Sequence, residues 1–196
     1  GRTARTWEAW RASDKEFAAS VDRIREQRNS AKVRGVDESL RSLSFEEWRK
    51  RFLGLDTYPH QKQWIDVLEG REPEHIEGTE WDLRNANRII INTPPYHAKS
   101  QTITIDWVTY RICMDPNIRI LLVSQGTDLA RDMLHSIRTR LTAPQFSELQ
   151  EAYAPPGGFR PEKGQGRFTQ DLLYVAGRTS DHKDPTVQIL GLRRSE

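Results

Sequence analysis

Residues 88–113 read RIIINTPPYHAKSQTITIDWVTYRIC, and this stretch decides the fold that we expect. It opens with three consecutive isoleucines at 89–91, a short apolar run that predicts a strand. A compact turn over 93–98 follows and leads directly into Lys99 and Ser100. Apolar residues then recur at a spacing typical of a half-buried helix, at Ile103, Trp107, Tyr110 and Ile112. The sequence therefore predicts a strand, a tight turn and a helix in direct succession.

A Lys-Ser pair at the start of such a helix is typical of a phosphate-binding P-loop. Backbone N–H groups of that loop surround phosphates at a helix N-terminus, where the helix dipole favours anions. The pattern predicts that Lys99, the candidate catalytic residue, contacts the β- and γ-phosphates, and that Ser100 binds Mg²⁺. Thr93 and Ala98 stand where the usual pattern has glycine. The alternative is an ordinary strand-turn-helix unit with a capping serine and a solvated lysine.

The composition predicts a soluble chain with one domain, or one domain and an appendage. It has 196 residues, 36% hydrophobic and 30% charged, which is enough to bury a sizeable core. No apolar run approaches the ~20 residues that cross a bilayer, and no signal peptide opens the chain, so we expect a cytosolic protein. Cys113 is the only cysteine, which excludes a disulfide framework and a cysteine-based zinc site. The net charge of +2 is a weak indication of a nucleic-acid partner.

Residues 6–32 predict a long amphipathic helix, because apolar residues recur at steps of three and four. The apolar stripe comprises Trp7, Trp10, Phe17, Val21 and Ile24, and the opposite face is basic. Such a helix could lie on DNA, on a partner subunit or on its own domain. We therefore expect an N-terminal helical arm over residues 1–43 and a second domain over 44–196.

The second domain opens with Ser44 and Glu47 at capping-box spacing, which predicts a short helix ending at Gly54. Tyr58-Pro59-His60-Gln61 then leads into another helix. An aromatic face and a glutamine amide can together form an adenine pocket, with the amide pairing to N6 and N7 of the base. The alternative is a glutamine that is merely solvated at a helix start.

The remaining apolar runs complete the predicted sheet. Residues 118–123 form an almost continuous apolar strand, followed by a helix from Thr127 that turns inward Leu129, Met133, Leu134, Ile137 and Leu141. Residues 154–168 are rich in glycine and proline and predict a mobile basic loop. Two further strands are predicted at 172–176 and 186–190, with a hairpin-like turn between them. The strand-helix alternation predicts a parallel α/β sheet that binds ligands at the carboxyl ends of its strands.

Three segments in this order resemble the large terminase subunit of tailed bacteriophages. They are TPPYHAKS at 93–100, IRILLVSQGTDLARDMLHSIRTRL at 118–141 and DPTVQILGL at 184–192. That family has a deviant Walker A sequence of this kind, a second strand ending in a Val-Ser-polar turn, and an Asp-Pro segment shortly before its Walker B strand. Tyr58 to Gln61 stand where the family has its adenine-recognising glutamine motif. The resemblance covers residues 58–192.

The resemblance implies a P-loop ATPase of the RecA/ASCE-like class, with a parallel sheet flanked by helices, that drives double-stranded DNA into a procapsid. Its cofactors would be ATP and Mg²⁺, and its partners a portal protein, a small terminase subunit and further copies in a pentameric ring. It would act in the host cytoplasm, and the parent protein would also be an endonuclease. The residues expected to bind the nucleotide are Tyr58, Gln61, Thr93, Pro94, Pro95, Tyr96, His97, Ala98, Lys99, Ser100 and Gln101.

The chain departs from the family in three ways. Many relatives have an arginine in the loop, where this chain has Tyr96 and His97. No apolar run leads into the acidic pair of a Walker B strand, and no nuclease domain is found. We expect the chain to end before the Walker B strand, with Arg193 or Arg194 as a candidate arginine finger. The alternatives are a helicase-like P-loop ATPase, or a non-catalytic DNA- or partner-docking module with a vestigial nucleotide site.

Overall fold

The computed structural model describes residues 38–81, 88–164, 166–180 and 183–193. The chain divides into two compact units, Gly1–Glu38 and Ser39–Glu196. The predicted amphipathic helix at 6–32 and the candidate Arg194 lie outside the described residues, and so does the side chain of Arg193.

The described residues form an α/β structure. Its helices are α1 Glu38–Arg41, α2 Phe45–Leu53, α3 Pro59–Leu68, a π-helix Ser100–Trp107 that continues into α4 Val108–Met114, α5 Thr127–Thr142, a 3-10 turn Pro144–Phe146 and α6 Ser147–Tyr153. Its strands are β1 Ile120–Gly126, β2 Leu172–Leu173 and β3 Val187–Arg193. Within this part of the chain, no helix is long and apolar enough to cross a membrane.

The sheet is small and mixed, in the order β1-β3-β2. β1 and β3 are parallel, with Ile120 opposite Val187, whereas β2 is antiparallel to β3. The predicted parallel pairing is therefore present between β1 and β3, whereas the sheet as a whole is mixed. Parallel neighbours need a long crossover, usually a helix, and the described residues between β2 and β3 contain none. The predicted hairpin-like connection between these two strands is consistent with their antiparallel pairing.

The predicted strand at 89–91 is not formed. Residues 89–94 have no regular secondary structure, and Ile90 is 83% exposed. An apolar run becomes a strand only when a neighbouring strand pairs with its backbone. The backbone N–H groups of this run donate no hydrogen bond to any other described residue.

Helix α2 agrees with the sequence prediction at both ends. The Ser44 hydroxyl accepts a hydrogen bond from the Glu47 N–H, and the Glu47 carboxylate accepts one from the Ser44 N–H at 2.9 Å. The bond from the Ser44 N–H, together with one that the Ser44 hydroxyl donates to the same carboxylate at 2.8 Å, holds the pKa of Glu47 below its usual value. Gly54 ends the helix at φ +66° and donates its N–H to the Lys50 carbonyl, as expected of a left-handed C-cap. The capping box and the stop at Gly54 are confirmed.

The core is aromatic on the α2 side and aliphatic under the sheet. Trp48 packs edge-on against Tyr110 of α4, and Phe52 packs edge-on against Tyr153 of α6. Helix α5 buries Ala130, Leu134, Ile137 and Leu141. Leu129, which was predicted to face inward, is 53% exposed. One face of the sheet is buried by Val187 and Ile189, and the other leaves Leu121, Val123, Leu190 and Leu192 exposed.

Candidate functional site

The turn before Lys99 has a backbone that L-residues rarely adopt. Tyr96 has φ +68° and Ala98 has φ +56°, and the left-handed region costs a non-glycine residue about 1–2 kcal/mol. Ala98 stands at the position where the P-loop pattern has glycine. Lys99 next to it is right-handed, at φ −54° and ψ −53°. Successive backbone N–H groups across such a change of hand form an anion-binding concavity.

The N–H groups of this turn are available to a ligand. Within the described part of the chain, the N–H groups of residues 96–99 donate no hydrogen bond, and the Ala98 carbonyl already accepts the Thr102 N–H at 2.8 Å. The first N–H groups of a helix have no acceptor inside it. The turn and the helix start therefore present a group of unused donors to solvent.

Lys99 and Ser100 are both exposed at this helix start. The Lys99 ammonium donates to the Ile91 carbonyl at 3.2 Å, so its side chain folds back over the loop. His97 Nδ1 lies 3.0 Å from the Pro95 carbonyl. Gln101 points away from the loop, because its amide donates to Asp106 at 2.8 Å. The structure brings Pro94 to Ser100 together on one loop and separates Gln101 from them.

A cavity of about 670 Å³ lies between α3 and the loop, a volume within the usual range of small-molecule sites. Its lining includes His60, Gln63, Trp64, Trp81, Thr93, Pro94 and His97. His60, Trp64 and Trp81 line it with aromatic rings. Among the described residues, His60 Nε2 and Trp81 Nε1 have no hydrogen-bond partner, but both atoms are buried and expose no surface to the cavity.

His60 connects α3 to the loop through its ring. It stacks on Tyr58 with a centroid distance of 6.1 Å and meets Trp64 edge-on at 5.2 Å. Its other neighbour is His97 of the loop, at 5.5 Å. Tyr58 and His97 were predicted from the sequence as site residues, whereas His60 and Trp64 were not. Their spacing of four residues, which places both on one helix face, was the available signal.

Gln61, the predicted adenine reader, is only 3% exposed. Its carbonyl oxygen accepts hydrogen bonds from Arg49 at 2.8 Å and from the Tyr58 N–H at 3.2 Å. Tyr58 is 61% exposed and free to offer a ring face. In this arrangement Gln61 caps α3 and positions Arg49, and it does not line the cavity.

Beneath the loop, Asp106 is fully buried between two arginines. Arg49 Nε donates to one carboxylate oxygen at 3.0 Å, and Arg140 is ion-paired to the other without regular hydrogen-bond geometry. Desolvation lowers the pKa of Arg49, and it lowers the pKa of Arg140 to about 10 with help from the Arg49 charge. One carboxylate thus joins α2 and α5 to the helix that follows the loop. In the sequence, the position of Asp106 between the apolar residues Ile105 and Trp107 was the available indication that this carboxylate is buried.

The described residues include no cluster of three or more histidine, cysteine or acidic side chains that could hold a metal ion. The exposed Ser100 hydroxyl has no partner within this part of the chain, which fits the single protein ligand that a P-loop serine gives to Mg²⁺. Most other ligands of such an ion are phosphate oxygens and water.

Comparison of the chain with protein-family models gives no match. Comparisons with curated proteins and with solved structures give none either.

Proposed function

We propose that this chain binds Mg²⁺-ATP through residues 93–100 and is the nucleotide-binding part of a P-loop ATPase. The observation that carries the proposal is Ala98, which is left-handed at the glycine position of the motif, directly before Lys99 and Ser100. This backbone conformation costs about 1–2 kcal/mol, and among the described residues the N–H groups of residues 96–99 donate no hydrogen bond that would offset the cost. An anion bound by these N–H groups would offset it.

The charges of the site suit a triphosphate. Lys99 supplies a mobile positive charge, and the helix N-terminus adds its partial positive charge to the unused N–H groups of residues 96–99. Lys99 would exchange the Ile91 carbonyl for a phosphate oxygen, a stronger acceptor because it is ionised. Ser100, which is exposed at the helix start, would contact the Mg²⁺ that bridges the phosphates.

The cavity beside the loop suits the base. Trp64, Trp81 and His60 line it with aromatic rings. A planar heteroaromatic ring packs well against such a lining. Because Thr93, Pro94 and His97 line the cavity and belong to the loop, base and phosphates would bind to adjoining surfaces.

We further propose that the protein acts as a terminase large subunit that packages DNA. The support for this proposal is the resemblance of the ordered segments at 58–61, 93–100, 118–141 and 184–192. In that role the protein would translocate double-stranded DNA in the host cytoplasm, as a ring with a portal protein and a small terminase subunit. Hydrolysis also needs a carboxylate that orients the attacking water. Residues 93–100 contain no carboxylate, and Glu80 is a carboxylate that lines the adjoining cavity. ATP binding is the activity that we propose for this chain.

Calorimetric titration with Mg²⁺-ATP tests the proposal. Lys99→Ala should weaken binding about 10- to 100-fold, because a hydrogen bond to a charged group contributes about 1.5–3 kcal/mol. The melting temperature should not change, since Lys99 is exposed. Lys50→Ala is the matched control, because Lys50 is exposed and paired with Asp56 on another surface. Equal affinities of the unsubstituted chain and of the Lys99→Ala variant for Mg²⁺-ATP would disprove the phosphate site.

A further inference from the structure

A second surface, away from the candidate nucleotide site, is built around residues 159–168. Its base is closed by two backbone hydrogen bonds: the Phe159 carbonyl accepts the Ala176 N–H at 2.8 Å, and the Arg167 carbonyl accepts the Tyr174 N–H at 2.9 Å. Phe159 itself is 2% exposed. The predicted mobile loop is thus held at both ends by the body of the domain.

Close packing at Gly166 completes this closure. A Cβ added to Gly166 would lie 2.7 Å from the Tyr174 Cβ, so only glycine fits without a shift. Phe168 next pairs with Leu173 as an antiparallel bridge. Gly166 and Phe168 therefore lie against Tyr174 and Leu173, which positions the backbone on both sides of Arg167.

Four cations are exposed or half-exposed on this loop and the adjoining α5, namely Arg138, Arg160, Lys163 and Arg167, and we call them the basic loop surface. Arg138 and Arg160 each place the guanidinium carbon 5.7 Å from the centroid of the Phe168 ring. Arg138 also donates to the Thr169 carbonyl at 2.9 Å. The Phe168 ring therefore contacts two guanidinium groups, one from α5 and one from the loop.

Among the described residues, none of these four cations lies within ion-pair distance of a carboxylate. Other surface cations are paired, including Arg119 with Asp184 at 2.8 Å. Asp171, the nearest carboxylate after the loop, is occupied by Arg131 at 2.8 Å. Glu162 is the single acidic residue in the loop itself. Four cations against one loop carboxylate leave a strong local excess of positive charge.

We propose that the basic loop surface binds the phosphate backbone of a DNA double helix. The guanidinium carbons of Arg138 and Arg160 lie no more than about 11 Å apart, because each is 5.7 Å from the Phe168 centroid, so the two groups can contact nearby phosphates of one duplex. Guanidinium groups bind phosphates through paired N–H donors. Several separate cations on one surface suit a repeating polyanion better than one small anion.

The environment of Phe168 favours a duplex over single strands and over an acidic protein. Single-strand binding relies on bases stacking on free aromatic rings, and the Phe168 ring already has two guanidinium groups against it. Protein interfaces have an apolar core with a polar rim. The basic loop surface offers positive charges and hydrogen-bond donors. Its large apolar side chain, Phe168, already contacts two guanidinium groups.

The test is fluorescence anisotropy with a labelled 30-base-pair DNA duplex at several salt concentrations. The triple variant Arg160→Gln, Lys163→Gln, Arg167→Gln should bind at least tenfold more weakly. Its salt slope should fall by about 0.9 for each lost phosphate contact. The matched control is Lys50→Gln, Arg51→Gln, Arg119→Gln, which removes the same charge from paired cations elsewhere. Both variants should melt at the same temperature as the parent chain, since all substituted side chains are exposed.

Two further variants make the outcome decisive. Phe168→Leu keeps every charge but releases the guanidinium groups, and should lose part of the affinity. Lys99→Ala should bind the duplex normally, so failure of this surface and failure of the nucleotide site are distinguishable. Equal loss of duplex binding in the two triple variants would overturn the proposal, because net charge alone would explain it. Preferential binding to single-stranded DNA, or to an acidic peptide, would also overturn it.

Discussion

The start of the π-helix Ser100–Trp107 is exposed to solvent, whereas its second turn is buried. Lys99 and Ser100 are exposed, whereas Thr102 and Asp106, within two turns of them, are fully buried. The buried residues bond to Arg49 and Arg140, which come from two other helices. The exposed residues follow a turn in which Tyr96 and Ala98 have positive φ, and whose N–H groups donate no hydrogen bond among the described residues. Buried polar contacts to Arg49 and Arg140 thus anchor the helix, while Lys99 and Ser100 at its start stay exposed to solvent.

The largest loss of stability is expected from a substitution at the buried Asp106. Asp106→Asn leaves two buried guanidinium groups without a carboxylate, and breaking a buried ion pair in this way costs about 3–5 kcal/mol. Urea unfolding followed by circular dichroism measures the change. Asp56→Asn is the matched control, because Asp56 is exposed in its pair with Lys50, and such pairs contribute about 0–1 kcal/mol. If both variants lost the same stability, Asp106 would not anchor the helix.

A smaller effect is expected at the start of α2, the helix that carries Arg49. Ser44→Ala removes the hydroxyl that accepts the Glu47 N–H, and loss of an N-cap side chain costs about 1 kcal/mol. Ser44→Asn should keep the stability close to that of the parent chain, because asparagine is also a good N-cap. Affinity for Mg²⁺-ATP should be unchanged in both variants. A change in affinity would mean that the buried and exposed ends are coupled.

The smallest effect is expected at the exposed end. Ala98→Gly relieves the left-handed strain but makes the unfolded chain more flexible, so we expect a net gain of about 0.5 kcal/mol. Ala152→Gly in the ordinary helix α6 should instead lose up to about 1 kcal/mol. Denaturant midpoints of the two variants should therefore move in opposite directions. Destabilisation by both would show that Ala98 is not strained.

Local features were predicted well from the sequence. The capping box at Ser44 and Glu47, the stop at Gly54, the strand β1 and the helix after Thr127 all depend on neighbouring residues along the chain. Lys99 and Ser100 were placed correctly at a helix start. Capping and periodicity act over a few residues, so a single sequence contains the information that they need.

Features that depend on distant partners were not predicted. The isoleucines at 89–91 satisfy a strand pattern, yet no described strand pairs with them. The helix after the loop is a π-helix, so Asp106 is buried beside Thr102 while Ile103 is half-exposed. The cavity with His60 and Trp81 joins segments that are separate in the sequence, and so does the pairing of Asp106 with Arg49 and Arg140.

The sequence by itself determined where several helices begin and end, that Lys99 and Ser100 stand at a helix start, and that strands and helices alternate. Those outcomes follow from backbone capping and from the spacing of apolar residues within one element. Only the tertiary structure decided the mixed sheet, the buried carboxylate beneath the loop and the pairing of surface cations. Burial and ion pairing are properties of groups brought together from different elements, and no local pattern specifies which groups will meet.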